Sequence, residues 1–163
     1  MHIFTCSACQ QTVFFENVQC TSCGRPLAYL PDLRIMSALE PHSPQAPRAR
    51  LDDARADEHA EKVPAPPQTS RPQLYVALAP LANGGLYRSC RNAIEYGTCN
   101  WTVQASESQA YCTACRLTSL SPDLDQPEAV ERWHKLERAK RRLVYTLDQL
   151  GLPIESRAER PKN

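Results

Sequence analysis

Cys6-Ser7-Ala8-Cys9, followed after ten residues by Cys20-Thr21-Ser22-Cys23-Gly24, is the stretch whose reading decides how this chain folds. A two-residue gap lets both sulfurs of a pair face one ion from a tight turn, and the intervening residues form a hairpin that carries the second pair to the other side of a tetrahedron. Gly24 stands where such a knuckle needs positive φ, which glycine adopts at no steric cost, so that backbone N–H groups can turn towards the sulfurs. Cys6, Cys9, Cys20 and Cys23 are therefore expected to bind Zn²⁺ as a four-cysteine zinc ribbon.

The competing readings of such pairs are disulfides in a secreted domain, or buried thiols that ligate nothing. Residues 1–20 contain no charged start followed by an apolar run, and no stretch approaches the roughly twenty apolar residues of a membrane span. The expected compartment is a reducing cytoplasm, where paired cysteines are more often metal ligands than disulfides.

The 163 residues are 42% hydrophobic and include 14 prolines, seven of which fall within residues 41–72 among Arg, Asp, Glu, Ala and Gln. That segment has too little apolar surface to repay the ordering of its backbone, and it reads as a disordered linker spanning roughly 30 Å. It separates residues 1–40, the first ribbon, from residues 73–120, a second module. Pieces this small bury little and need staples, and bound metal is the one the sequence offers. Eight metal-bound thiolates and two Zn²⁺ ions would turn the formal charge of +1 into about −3, which removes a global electrostatic case for nucleic acid.

Ile3-Phe4-Thr5 and Thr12-Val13-Phe14-Phe15 are β-prone and flank the first knuckle as short strands, with the three phenylalanines expected to roof the metal. Leu27–Asp32 reads as a further strand ending in a turn, followed by a short apolar stretch to Leu39. Beyond the linker, Gln73–Leu78 reads as a strand, and Asn83-Gly84-Gly85 as a turn into Leu86-Tyr87-Arg88. The other four cysteines follow. Cys112-Thr113-Ala114-Cys115 is a standard knuckle, but Cys90 and Cys99 have eight residues between them, so a second four-cysteine zinc site competes with the reading that Cys90 or Cys99 is only a buried thiol.

Residues 121–151 carry the most regular pattern. Asp125 is placed to cap, Pro127 and Glu128 open a helix, and Val130, Trp133, Leu136, Ala139 or Lys140, Leu143, Val144, Leu147 and Leu150 recur at three and four until Gly151 and Pro153 stop the run. The expectation is an amphipathic helix of about 25 residues followed by a frayed tail, residues 152–163. Its other face carries Arg138, Arg141 and Arg142, which could contact nucleic acid or anionic lipid, with Trp101 and Tyr111 as stacking residues; the plainer reading is a solvated face and core aromatics.

Four thiolates leave no open metal position, whereas a catalytic zinc keeps a water. No H-E-x-x-H, Gly-rich phosphate loop or G-x-S-x-G turn is present, and His134, with Glu137 one turn away, lacks a second histidine and reads as a helix-surface residue. The combination of Phe14-Phe15-Glu16-Asn17, Leu27–Asp32, Ser37–Pro41, Cys99-Asn100-Trp101, Cys112–Leu117 and Ala139–Tyr145 resembles the bacterial zinc-binding metallopeptidases that begin with a zinc-ribbon region. That resemblance implies that all eight cysteines ligate two structural Zn²⁺ ions, and that a catalytic domain bearing H-E-x-x-H follows the long helix, which the sequence ending at Asn163 does not include. The proline-rich linker is longer and more polar than the resemblance leads one to expect.

The expected fold is thus small, α+β and metal-stabilised, with two zinc-ribbon-like β modules, a linker and a long C-terminal helix. The expected function is a non-catalytic interaction module serving a protein partner or a downstream catalytic domain, and the alternative is a nucleic-acid-binding ribbon.

Overall fold

The computed structural model describes residues 3–43, 72–120, 122–123 and 125–155. The expected linker falls almost wholly outside these residues, as does the tail from 156 onwards. A two-stranded hairpin pairs β1 (Ile3–Thr5) with β2 (Thr12–Phe14). A five-stranded antiparallel meander follows in chain order: β3 (Leu27–Leu30), β4 (Ile35–Pro41), β5 (Leu74–Ala77), β6 (Leu86–Ser89) and β7 (Thr102–Gln104). Helix α1 (Arg91–Tyr96) lies between β6 and β7, and α2 (Pro127–Gln149, 23 residues) closes the described fold.

The apolar stretch expected to trail after Asp32 is itself a strand. Arg34, at φ 58°, takes the left-handed position of the turn that lets β3 and β4 pair as a hairpin, Leu27 with Ala38 through Leu30 with Ile35. β4 then runs on into the expected linker and pairs Leu39, Glu40 and Pro41 with Ala77, Val76 and Tyr75 of β5. Proline is tolerated there because the neighbouring N–H of Leu39 points to the β3 side and that of His42 to the β5 side, so the N–H that Pro41 lacks would point where β3 has already ended. Consequently the two sides of residues 44–71 share one sheet. The expected division into two separate modules, 1–40 and 73–120, gives way to a single β-rich domain, because strands of three to seven residues cannot stand alone but can complete one another's ladders.

The meander curls until its last strand returns to its first. Tyr29 N–H donates to Asn100 O at 2.9 Å, and Thr102 Oγ1 donates to the carbonyl of Tyr29 at 3.1 Å. All four residues of β3 are buried, since alternate side chains enter two different clusters. Ala28 and Leu30 join Leu39, Ala77 and Tyr87 on one face, where Tyr87 donates to Asp32 Oδ2 at 2.7 Å. Leu27 and Tyr29 join Met36, Ala38, Trp101, Val103 and seven of the eight cysteines on the other.

At the centre of that second face five aromatic rings meet, each from a different part of the chain. Tyr29 and Trp101 lie 4.6 Å apart between centroids, Phe15 and Tyr145 4.9 Å, Phe15 and Tyr29 5.4 Å, and Phe4 and Tyr145 6.2 Å. Phe14, by contrast, is 49% exposed and does not roof a metal, because it faces away from the β1–β2 core that Val13 enters.

α2 begins with Gln126 rather than Asp125 as its cap; no side chain caps it, and Pro127 occupies the first turn, where a missing N–H costs nothing. Its buried residues are Trp133, Glu137, Arg141 and Val144, whereas Leu136 and Leu143, expected in the apolar face, are exposed. Ile154, expected in the tail, packs against the main core.

Because Trp101 is 2% exposed and touches rings from the first hairpin and β3, Trp101→Ala is expected to cost about 3–5 kcal/mol. Helix dichroism and the fluorescence of Trp133 should still change in one denaturant transition; two separate transitions would show that the halves melt independently.

Candidate metal centres

Each cysteine quartet gathers its four sulfurs within 4.8 Å of one another. A tetrahedron with Zn–S bonds of about 2.3 Å has edges of roughly 3.8 Å. The observed Sγ–Sγ separations are 3.8 Å for Cys6–Cys23, 3.6 Å for Cys9–Cys20 and 3.7 Å for both Cys99–Cys112 and Cys99–Cys115. Disulfide sulfurs would lie near 2.05 Å, and all eight cysteines are free. The residues present therefore fit two zinc ions, and four soft sulfurs suit that metal better than a hard, oxygen-seeking cation.

In the first centre two knuckles repeat one geometry. Cys6 N–H donates to Gln11 O and Gln10 N–H returns to Cys6 O, at 2.8 and 2.9 Å; Cys20 N–H donates to Arg25 O and Gly24 N–H returns to Cys20 O, both at 2.9 Å. The residue after each second cysteine has positive φ, 70° at Gly24 as expected and 64° at Gln10, which no glycine marked in the sequence. Ser7, inside the first knuckle, accepts the N–H of Ala38 at 2.9 Å and so fastens the knuckle to β4.

The second centre explains its irregular spacing. Cys90 follows β6 directly as the residue preceding α1, and the single short helix takes up the gap before Cys99. Sulfur acceptors are satisfied by backbone: Cys112 N–H faces Cys90 Sγ and Trp101 N–H faces Cys99 Sγ, each at 3.4 Å. All four sulfur residues here are buried, whereas in the first centre Cys9 is exposed and Cys23 half-buried.

Crowded thiols do not ionise alike without a cation. The backbone N–H of Arg25 draws Cys23 down to about 6, and that of Cys23 lowers Cys20, while burial pushes Cys6 up to about 11. In the second centre burial drives Cys112 well above the usual thiol range, and its thiol, pointing at Cys90, pulls that group down. A dication removes this conflict by stabilising all four thiolates, at the cost of making metal retention fall with pH as protons compete for sulfur.

Against the second centre α2 places a network that the sequence did not announce. Glu137, 2% exposed, has a carboxylate oxygen 4.0 Å from Cys115 Sγ; it accepts from Lys140 at 2.7 Å and Thr118 at 3.1 Å, and Lys140 also reaches Thr118 Oγ1. Arg141 is 7% exposed and donates to the carbonyl of Thr98, the residue before Cys99. The buried Arg141 guanidinium would offset part of the net negative charge of a metal held by four thiolates, while the half-buried Lys140 ammonium neutralises Glu137. Asn100, between Cys99 and Trp101, donates to Phe15 O and ties the second centre to the first hairpin.

The three arginines considered for nucleic acid are not brought together on one open surface. Arg141 is inside; Arg142 and Arg138 pair with Glu16 at 2.5 and 3.7 Å. Trp101 is buried and cannot stack on a base, and Tyr111 lies under Arg91 at 6.0 Å. His134, expected at the helix surface, is half-buried with its Nε2 covered.

The purified chain should carry two zinc ions, and Cys9→Ser should retain one, with a chelator stripping the exposed first centre well before the buried second; elemental analysis with a colorimetric zinc indicator reads both. Arg141→Ala should destabilise the folded chain by about 2–3 kcal/mol in denaturant titrations, since it removes a charged buried donor, whereas Arg138→Ala should change stability by less than ~0.5 kcal/mol.

A sequence profile of a zinc-ribbon domain family matches residues 3–126. One uncharacterised protein of Mycobacterium bovis and two of Mycobacterium tuberculosis are each 26% identical to the chain over 161 residues, which is 99% of this chain and 35% of theirs. The chain therefore spans little more than a third of the length of the curated relatives it matches. No solved structure matches it.

Proposed function

This chain belongs to the zinc-ribbon domain family, and from that premise we propose that it is a non-catalytic interaction module in which two structural zinc ions hold a curled sheet and its covering helix as a docking platform. The observation that carries this reading is the completeness of both ligand sets: four sulfurs at tetrahedral spacing leave no position for a reacting water. Four thiolates also donate enough charge to make the metal a poor Lewis acid. Among the described residues, the groups of metal-ligating side chains that converge on a point are these two quartets.

The partner in this reading is a catalytic domain of the zinc metallopeptidase type, or another protein, in a bacterial cytoplasm. The motif resemblance supports it, and so does the greater length of the mycobacterial relatives, which leaves room for further domains. Among the described residues no helix is long and apolar enough to cross a membrane. The nucleic-acid alternative loses support from the burial of Arg141 and Trp101.

The chain itself should not hydrolyse peptide bonds, with zinc bound or added. A mixed peptide library at neutral pH tests this: chelator-sensitive cleavage that survives repurification would overturn the non-catalytic reading. For the interaction role, the part of a mycobacterial relative outside the matching region, expressed separately, should bind the zinc-loaded chain and release it on chelation; no binding in either state would count against it.

A further inference from the structure

The apolar residues of α2 divide into two sets. Trp133 and Val144 face the core, while Leu136, Leu143 and Leu150 are 66%, 58% and 67% exposed, with Ala139 and Thr146 exposed between them. Positions 136, 139, 143, 146 and 150 are separated by three, four, three and four residues, the spacing of the seam along which one helix packs against another in a coiled coil. The seam is uncovered by any described residue and is about 21 Å long at 1.5 Å per residue. Each end opens on a cavity: one of 440 Å³ bordered by Leu120, Trp133 and Leu136, the other of 450 Å³ bordered by Phe14, Tyr145 and Leu150.

Charge selects the occupant. From Arg132 to Thr146 every exposed charged side chain on α2 is a cation: Arg132, Lys135, Arg138 and Arg142. The acidic groups that face this stretch are Glu128 and Glu131, which pair with Arg132 and Lys135 from the preceding turn, Glu16, which serves Arg138 and Arg142, and Glu137, which is buried against Lys140. Lys135 and Arg142 directly precede Leu136 and Leu143, so they flank the seam. A second copy of the chain paired antiparallel would set these cations against its own.

We propose that the Leu136–Leu150 seam docks an acidic amphipathic helix, one that places leucine-like side chains on the seam and glutamate or aspartate along the flank that meets Lys135 and Arg142. This rests on the reading of the chain as an interaction module and names the chemistry of its partner. The flanking cations steer and register the helix, and the leucines supply the buried area.

The test uses the zinc-loaded chain and a synthetic peptide of about three heptads with Leu at both seam positions and Glu at both flanking positions. Calorimetry should show binding that weakens as salt rises, and a peptide with Lys in place of every Glu should not bind. Leu143→Glu changes an exposed residue, so zinc content and dichroism should be unchanged while affinity falls roughly 30-fold or more, the loss expected at a central anchor. Failure of the Glu peptide to bind, equal binding of the Lys peptide, or undiminished binding by Leu143→Glu would each overturn the proposal. So would sedimentation showing that the chain alone dimerises and that Leu143→Glu makes it a monomer, because the seam would then belong to a second copy. If the peptide fails while the remainder of a mycobacterial relative still binds, the interaction-module reading stands and only this surface is wrongly assigned.

Discussion

Four sulfurs held about 3.8 Å apart around one ion are the constraint from which the rest of this structure is built. Strands of three or four residues and a six-residue helix have no stability of their own, and a β-hairpin as short as β1–β2 is marginal in water. Structural zinc contributes on the order of 10 kcal/mol to the folding of small peptides, more than such elements can gather from burial alone. The ions therefore set the loop geometry first, and the sheet, the aromatic rings and α2 are laid over the loops. Seven of the eight cysteines belong to the principal hydrophobic cluster or pack directly on it, so each centre is also core.

That coupling makes one unit out of two metal centres. Ser7 holds the first knuckle to β4, Asn100 holds the second centre to the first hairpin, and β4 pairs with β5 across the long intervening segment. The five rings of Phe4, Phe15, Tyr29, Trp101 and Tyr145 then bring the hairpin, the sheet, the second centre and the helix to one place. Aromatic pairs are worth about 0.5–1.5 kcal/mol each beyond their buried area, so this cluster adds to the ties made by Ser7, Asn100 and the β4–β5 pairing.

α2 is seated in an unusual way for a surface helix. Its inward face includes Glu137 and Arg141, both buried, as well as Trp133 and Val144: the Arg141 cation suits the negatively charged environment of four cysteine sulfurs, and Glu137 is neutralised there by Lys140. The partners of these charges are at hand in Lys140, Thr118 and the carbonyl of Thr98. Turning the charged residues inward rotates the leucines outward, and the helix is left with a second face that no described residue covers.

The sequence by itself determined the ligands of the first centre and the turn that follows Cys23. Tetrahedral zinc chemistry depends on short spacings that two C-x-x-C pairs already satisfy, and Gly24 announced the backbone conformation its knuckle needs. The start and stop of α2 were legible for the same local reason, in Pro127 and Gly151. Only the tertiary structure decided that Cys90 and Cys99 join the second quartet around a helix in their gap, that β4 and β5 make one sheet from chain segments on either side of residues 44–71, and which side of α2 turns inward. The helical period shows that apolar residues share a face but not what they will meet; near a metal centre a buried Arg141 beside a carbonyl and a buried Glu137 beside a lysine outweighed Leu136 and Leu143, because unpaired charge next to the sulfurs costs more than leucines left in water.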